Sequence, residues 1–263
     1  MGLEDDVIAI IKAKAQEGDV INLDPAHPGP IIGIGCALIR LAQRKLFGKS
    51  ANWRDSHTML YFTNESIRRY IGSDAKVKTI LAKDSANELQ VFSVAPPKAS
   101  FISIDVFALD TVSVYRYAPR TLAPRDIELM LQATLPLLLT DYDFGQLADI
   151  GMNEILGYPF ENKVRLFDFG EKKKVCATGV AIVFQKWRKE LEKEGITVQR
   201  LFSKLDPEHW KGKDKLVKEF LKYGHGWSIE STYPAQFANS DYYSGEFRLV
   251  LRIEKGRVVY SDS

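Results

Sequence analysis

One stretch limits the possible folds of this chain more than any other: Val175-Cys176-Ala177-Thr178-Gly179-Val180-Ala181-Ile182-Val183-Phe184-Gln185-Lys186-Trp187. Val180, Phe184, Trp187 and Leu191 recur at spacings of four, three and four, and Ala177 and Ala181 widen the stripe. That is one face of a helix, running from Cys176 to about residue 194, and so bulky a face has to be buried against another layer. A polar loop, Lys172-Lys173-Lys174, leads into it, so the first turn is expected at a surface or cleft. A thiol at that turn meets unpaired backbone N–H groups and the positive end of the helix dipole. Both favour the thiolate, and the lysines push the same way. The same N–H groups could hold a developing oxyanion. Free cysteine is otherwise a small buried hydrophobe, so a chemical role requires a base from elsewhere in the chain.

The segments before this helix read largely as strands. Residues 6–15 form a short amphipathic helix that Gly18-Asp19 ends, and Val20-Ile21-Asn22-Leu23 is a brief strand. Residues 24–35 hold three prolines and three glycines and read as a loop, with a helix over 36–46. In His57-Thr58-Met59-Leu60-Tyr61-Phe62 the alternation puts His57, Met59 and Tyr61 on one face and Thr58, Leu60 and Phe62 on the other. A helix over 65–70 and an irregular excursion follow. Residues 88–95, stopped by Pro96-Pro97, then 100–104 and 111–117, read as further strands. Short connections between consecutive strands predict an antiparallel sheet.

Beyond these strands, residues 125–139 read as a helix that Pro136 shortens or kinks. Asp141-Tyr142-Asp143-Phe144 reads as a turn, 147–156 as a helix, 157–170 as a loop and 211–222 as a charged helix. Residues 233–237 read as a loop into a helical turn, and 247–253 as the terminal strand. The fold class is α+β. No repeat or long linker divides residues 1–263, so a single domain is expected.

Composition serves mainly to exclude. Hydrophobic residues are 45% of the 263, ample for a core, and the net charge is +2. No basic stripe interleaved with aromatics points to nucleic acid. Two scattered cysteines and four histidines give no metal-ligand spacing and no disulfide framework, and no cofactor is implied. Gly33-Ile34-Gly35 lacks the rest of a phosphate loop. No apolar run reaches the length of a membrane span. The acidic opening Met1-Gly2-Leu3-Glu4-Asp5-Asp6 lacks the basic region of a signal peptide, so a cytoplasmic protein is expected.

The candidate base is His57, because it sits at a strand start and points to a fixed side. His27 lies in a Pro/Gly loop, His209 follows Asp206-Pro207-Glu208, and His225, between glycines, is the runner-up. Four segments in order, spanning about residues 18–240 with a fifth at 233–240, resemble the circularly permuted papain-like cysteine hydrolases related to the NlpC peptidases. They are Gly18-Asp19-Val20-Ile21; Ser56-His57 before Met59-Leu60-Tyr61-Phe62; Val114-Tyr115-Arg116-Tyr117 with the later Tyr142-Asp143-Phe144; and Val175-Cys176-Ala177-Thr178. The histidine precedes the cysteine, which is the mark of the permutation. The resemblance implies a permuted papain-like fold with an antiparallel sheet against helices. It implies Cys176 as nucleophile, His57 as base, and a third polar group on the next strand, where Ser93 stands. Gln90 and Glu88 lie on that strand but on the opposite face. Ser93 replaces the family's usual Glu, and Ala177-Thr178 replaces Ser-Glu. A serine can orient imidazole but adds no negative charge. Tyr142 and Asp143 are expected to anchor the Cys176 helix, and Asp19 to shape the cleft or cap a turn.

The chemistry implied is acyl transfer: the thiolate attacks an amide carbonyl, backbone N–H groups hold the oxyanion, and His57 protonates the leaving group. The expected substrate is a peptide, a cell-wall-type peptide or an acyl-amino conjugate. A lipid acyl hydrolase or acyltransferase of related type, and a binding domain with a weakened triad, are the alternatives.

Overall fold

The computed structural model describes residues 3–25, 30–47, 54–83, 88–107, 111–142, 176–199, 201, 232, 234–238 and 246–262. The readings over 147–156, 157–170 and 211–222, and those for His27, Asp143, His209 and His225, lie outside them. The frame is a seven-stranded sheet: β1 (Val20–Asp24), β2 (His57–Tyr61), β3 (Val91–Val94), β4 (Ala99–Ile102), β5 (Thr111–Tyr117), β6 (Phe247–Glu254) and β7 (Arg257–Ser261). The order is β4-β3-β2-β1-β5-β6-β7 and every pair is antiparallel. Helices α1 (Leu3–Lys14), α2 (Pro30–Phe47), α3 (Asn64–Ser66), α4 (Ala75–Lys83), α5 (Pro124–Thr134), α6 (Cys176–Lys193) and α7 (Pro234–Ala238) complete it, and α3 runs on into a π-turn, Ile67–Ile71. The mixed α+β class and the antiparallel sheet are as the sequence predicts.

The strand alternation sorts the core into two layers. Leu60, Phe62, Phe92, Val94, Tyr115 and Tyr117 face α5 and α6. Ile21, Met59, Tyr61, Val91, Val112 and Val114 face the other way, where Val7 and Ile11 of α1 cover them. The stripe on α6 is buried as its spacing demands, and Trp187, Phe184 and Leu191 are each 1% exposed. Tyr117 stacks edge-on against Trp187 at 5.4 Å and Phe247 against Phe184 at 5.3 Å. Fully burying one such side chain is worth about 1.5–3 kcal/mol, so α6 is among the best-anchored helices of the described residues. It comes so close to β3 that a Cβ at Gly179 would lie 2.5 Å from Val94 Cγ2.

Four readings are corrected. Residues 30–35 belong to α2 rather than a loop, because proline is well tolerated in the first helical turn, where its missing N–H costs nothing. The excursion after residue 71 contains α4, whose lysine-rich face hid the buried pair Val77 and Ile80. The helix after Ala123 ends at Thr134, short of Pro136. Residues 247–253 are not the terminal strand: a two-residue turn at Lys255 and Gly256, both at positive φ, leads into β7. β7 is exposed throughout and so carries no alternation to read. No helix among the described residues is long and apolar enough to cross a membrane.

Candidate active site

Asp19, the residue before β1, is settled first because it fixes one end of the sheet. Gly18, at φ +84°, makes the turn that places it. Asp19 is 1% exposed, and Arg116 of β5 meets it with two bonds, Nε to Oδ1 at 3.1 Å and Nη2 to Oδ2 at 2.9 Å. The Gln16 amide donates to the same carboxylate at 2.8 Å. Burial raises its pKa against the lowering pull of Arg116. Its place is structural: it staples β1 to β5 at the end remote from His57.

His57, Ser93 and Cys176 gather at the opposite end of the sheet. Register sets Met59 against Ser93, so His57 is a diagonal neighbour of Ser93 across the β2–β3 pair. His57 Nε2 and Ser93 Oγ are 2.9 Å apart. That bond occupies one ring nitrogen and leaves Nδ1 for any proton transfer. Burial lowers the His57 pKa to about 4. Gln90 turns to Glu88 instead, donating at 3.0 Å. Ser93 is therefore the described β3 side chain that meets the ring.

Cys176 opens α6, which packs on β2 and β3. Burial raises the Cys176 thiol to about 11, and the nearby backbone amides that favour the thiolate do not offset it. The first turn is expected from the sequence at a surface or cleft, and the thiolate that the helix start and the lysines favour is opposed here by burial. The side chain is 1% exposed, and desolvation of the anion exceeds what nearby amides and a helix end return. Cys36 is also buried and reduced, and its charge adds slightly to the same upward push.

His57 and Cys176 reach this strand end from different sides. Ser93 alternates with Phe92 and Val94, which face α6, so the His57–Ser93 bond lies on the side away from that helix. Cys176 comes from the α6 side, one turn before the point where Gly179 meets Val94. Among the described residues no hydrogen bond joins the ring to the sulfur.

Several polar residues around this end were not singled out in the sequence. Asn22 of β1, Thr58 of β2 and Ser113 of β5 form a row across three strands, each fully buried. Thr58 Oγ1 donates to Asn22 Oδ1 at 2.8 Å, and Asn22 Nδ2 donates to the Pro234 carbonyl at 2.9 Å. Gln43 Nε2 donates to the Asp55 carbonyl at 2.7 Å, and its Oε1 accepts from the Ala235 amide at 2.8 Å. Asp55 itself is fully buried, with Arg252 at 4.0 Å and a hydrogen bond from Asn22, and burial raises it to about 7. Ser56 Oγ, 2% exposed, has no partner among the described residues. The available signal was Asn22 itself, since asparagine is depleted in strand interiors.

Among the described residues no group of three His, Cys, Asp or Glu is placed to hold a metal ion. No family model matches the chain, and no curated protein or solved structure matches it.

Proposed function

We propose that the chain is a cysteine hydrolase of the permuted papain-like, NlpC-related kind, cleaving an amide bond in a peptide, a cell-wall-type peptide or an acyl-amino conjugate. One observation carries this reading. The N-terminus of α6 brings Cys176 to the strand end where His57 stands, with His57 Nε2 2.9 Å from Ser93 Oγ. A thiol, an imidazole and an orienting hydroxyl at one strand end are the parts of a nucleophilic site.

The reaction follows from the protonation states. With His57 pushed down to about 4 and Cys176 up to about 11, both are neutral at pH 7. Proton transfer from sulfur to Nδ1 therefore accompanies attack instead of preceding it. The S–C bond forms, the carbonyl oxygen takes the charge, and backbone N–H groups at the α6 start stabilise it. His57 returns the proton to the leaving nitrogen as the C–N bond breaks. Water, deprotonated by the same ring, releases the acid and restores the thiol. For this sequence the ring must approach the sulfur more closely than in the resting structure.

A second reading, a binding domain with a weakened triad, is favoured by the covered thiol and by the lack of a ring–sulfur bond. Acid quenching of the protein after incubation with peptides and acyl-amino conjugates, followed by mass spectrometry, separates the two. The hydrolase reading expects an acyl thioester on Cys176 that His57→Ala abolishes. An acyl lipid on Cys176 moves the substrate to lipids. No adduct on Cys176 with any of these substrates leaves the binding domain.

A further inference from the structure

Helix α2 carries apolar residues on two opposite faces. Cys36, Ile39 and Gln43, spaced three and four apart, are buried. Across the helix, Ile34, Ala37, Leu38 and Leu41 recur at i, i+3, i+4 and i+7. Ile34 is 65% exposed, more than any other large hydrophobic among the described residues. Leu41 is 46% exposed, and Ala37 between them is exposed too. The stripe runs about 10 Å along the axis. An ordinary solvent face of this chain looks different: α4 fills its exposed positions with Lys76, Lys78 and Lys83.

The inward face holds α2 in this orientation. Gln43 donates to the Asp55 carbonyl and accepts from the Ala235 amide. Arg40 donates to the Arg54 carbonyl at 3.2 Å and pairs with Asp24. Turning Ile34 and Leu41 inward would break all four contacts, so the apolar stripe stays outside. Charge decides what meets it. α2 carries Arg40, Arg44 and Lys45 and no acidic residue. Arg44 is exposed, three residues beyond Leu41, at the margin of the stripe. A second copy of α2 would bring the same positive charges and no carboxylate on the helix to receive them. An anionic lipid surface offers acyl chains to the stripe and negative headgroups to the cations.

We propose that α2 is a membrane-surface helix, lying in the headgroup layer of an anionic bilayer with Ile34, Ala37, Leu38 and Leu41 turned to the acyl chains. The contact is peripheral, and it does not depend on the hydrolase reading. Because Gln43 ties α2 to Asp55, two residues before His57, the contact brings the His57 end of the sheet to the lipid surface.

The test is co-sedimentation of the full chain with vesicles of equal parts phosphatidylglycerol and phosphatidylcholine. The chain is expected to bind, and Ile34→Glu and Leu41→Glu each to weaken binding about tenfold or more. Vesicles of phosphatidylcholine alone are expected to bind at least about fivefold more weakly, the contribution of a single basic residue near an anionic surface. Val259→Glu, at an exposed apolar position on β7, is expected to leave binding unchanged. Ile34→Trp is expected to bind as tightly as the native chain, with an emission that shifts to the blue when vesicles are added. A native chain that does not sediment with the vesicles overturns the proposal, as does undiminished binding by both glutamate variants. Equal binding to phosphatidylcholine alone overturns it too, and so does a dimer in solution that Ile34→Glu dissolves while vesicles are ignored. Should the glutamate variants fail to fold, the Ile34→Trp emission answers directly, and an unshifted spectrum overturns the proposal.

Discussion

The two ends of the central strands β1, β2 and β5 carry similar residue types and treat them differently. At one end Asp19 is buried and tied by Arg116 and the Gln16 amide. At the other, Asp55 is equally buried, but Arg252 stands 4.0 Å off, and it is pushed up to about 7. Beside it are a histidine lowered to about 4, a thiol raised to about 11 and a serine hydroxyl without a partner among the described residues. One end binds the sheet together; the other buries titratable groups shifted toward their neutral forms, at a cost in stability. Perturbed groups clustered at one end of a well-packed sheet are what chemistry requires and what packing alone would remove.

The largest expected effect tests the structural end. Arg116→Leu leaves Asp19 buried without its cation and is expected to cost about 3–5 kcal/mol in urea unfolding, because breaking a buried pair strands a charge. A loss below about 1 kcal/mol would erase the contrast between the two ends. Next, Gly179→Val forces a side chain against Val94 and is expected to cost about 1–3 kcal/mol. It should also shift the ionisation midpoint of Cys176, followed by NMR of cysteine labelled at Cβ, since α6 must move off β3. Ser93→Ala removes the bond to the ring for about 0.5–1.5 kcal/mol, and under the hydrolase reading it lowers kcat more than it raises KM.

The smallest effects at neutral pH are slopes. His57 titrates lower in the fold than the usual 6.5, so the unfolded chain binds the extra proton between pH 6.5 and 4. Its share of stability is complete above 6.5 and is lost as pH falls toward 4. Asp55 runs the other way: its folded pKa lies above the usual 3.8, so stability drains as pH rises from 3.8 to about 7. The two slopes oppose each other between pH 4 and 6.5. His57→Gln should expose the Asp55 decline in that window, and Asp55→Asn the His57 rise. Parallel slopes for both variants would mean that neither group titrates as described.

The sequence made legible whatever depends on period. The α6 stripe, the two faces of β2 and the antiparallel pairing all follow from spacing and strand order. The diagonal between His57 and Ser93 needed register as well, and the motif order supplied the strand. Contacts across long sequence distances were not legible: Asp19 reads as a cap or a cleft residue until Arg116 is seen beside it. The burial of Cys176 was not legible for a physical reason. A helix start and three lysines are visible in the chain, but the desolvation that outweighs them depends on how far the neighbouring elements close over the sulfur. α4 and β7 escaped because a charged face and a fully exposed edge erase the patterns that reveal helices and strands.

The sheet order has a consequence for how the protein is made. β1 emerges early yet lies at the middle of the sheet, and its second neighbour, β5, is translated only after β2, β3 and β4. Until then Ile21 and Leu23 sit on an unpaired edge open to other chains, and such non-local pairing is slow. Cys176 follows later still, and its shelter consists of those same strands. The strands on which its helix packs are thus all translated before the cysteine itself, so the surface that hides the thiol precedes it in synthesis.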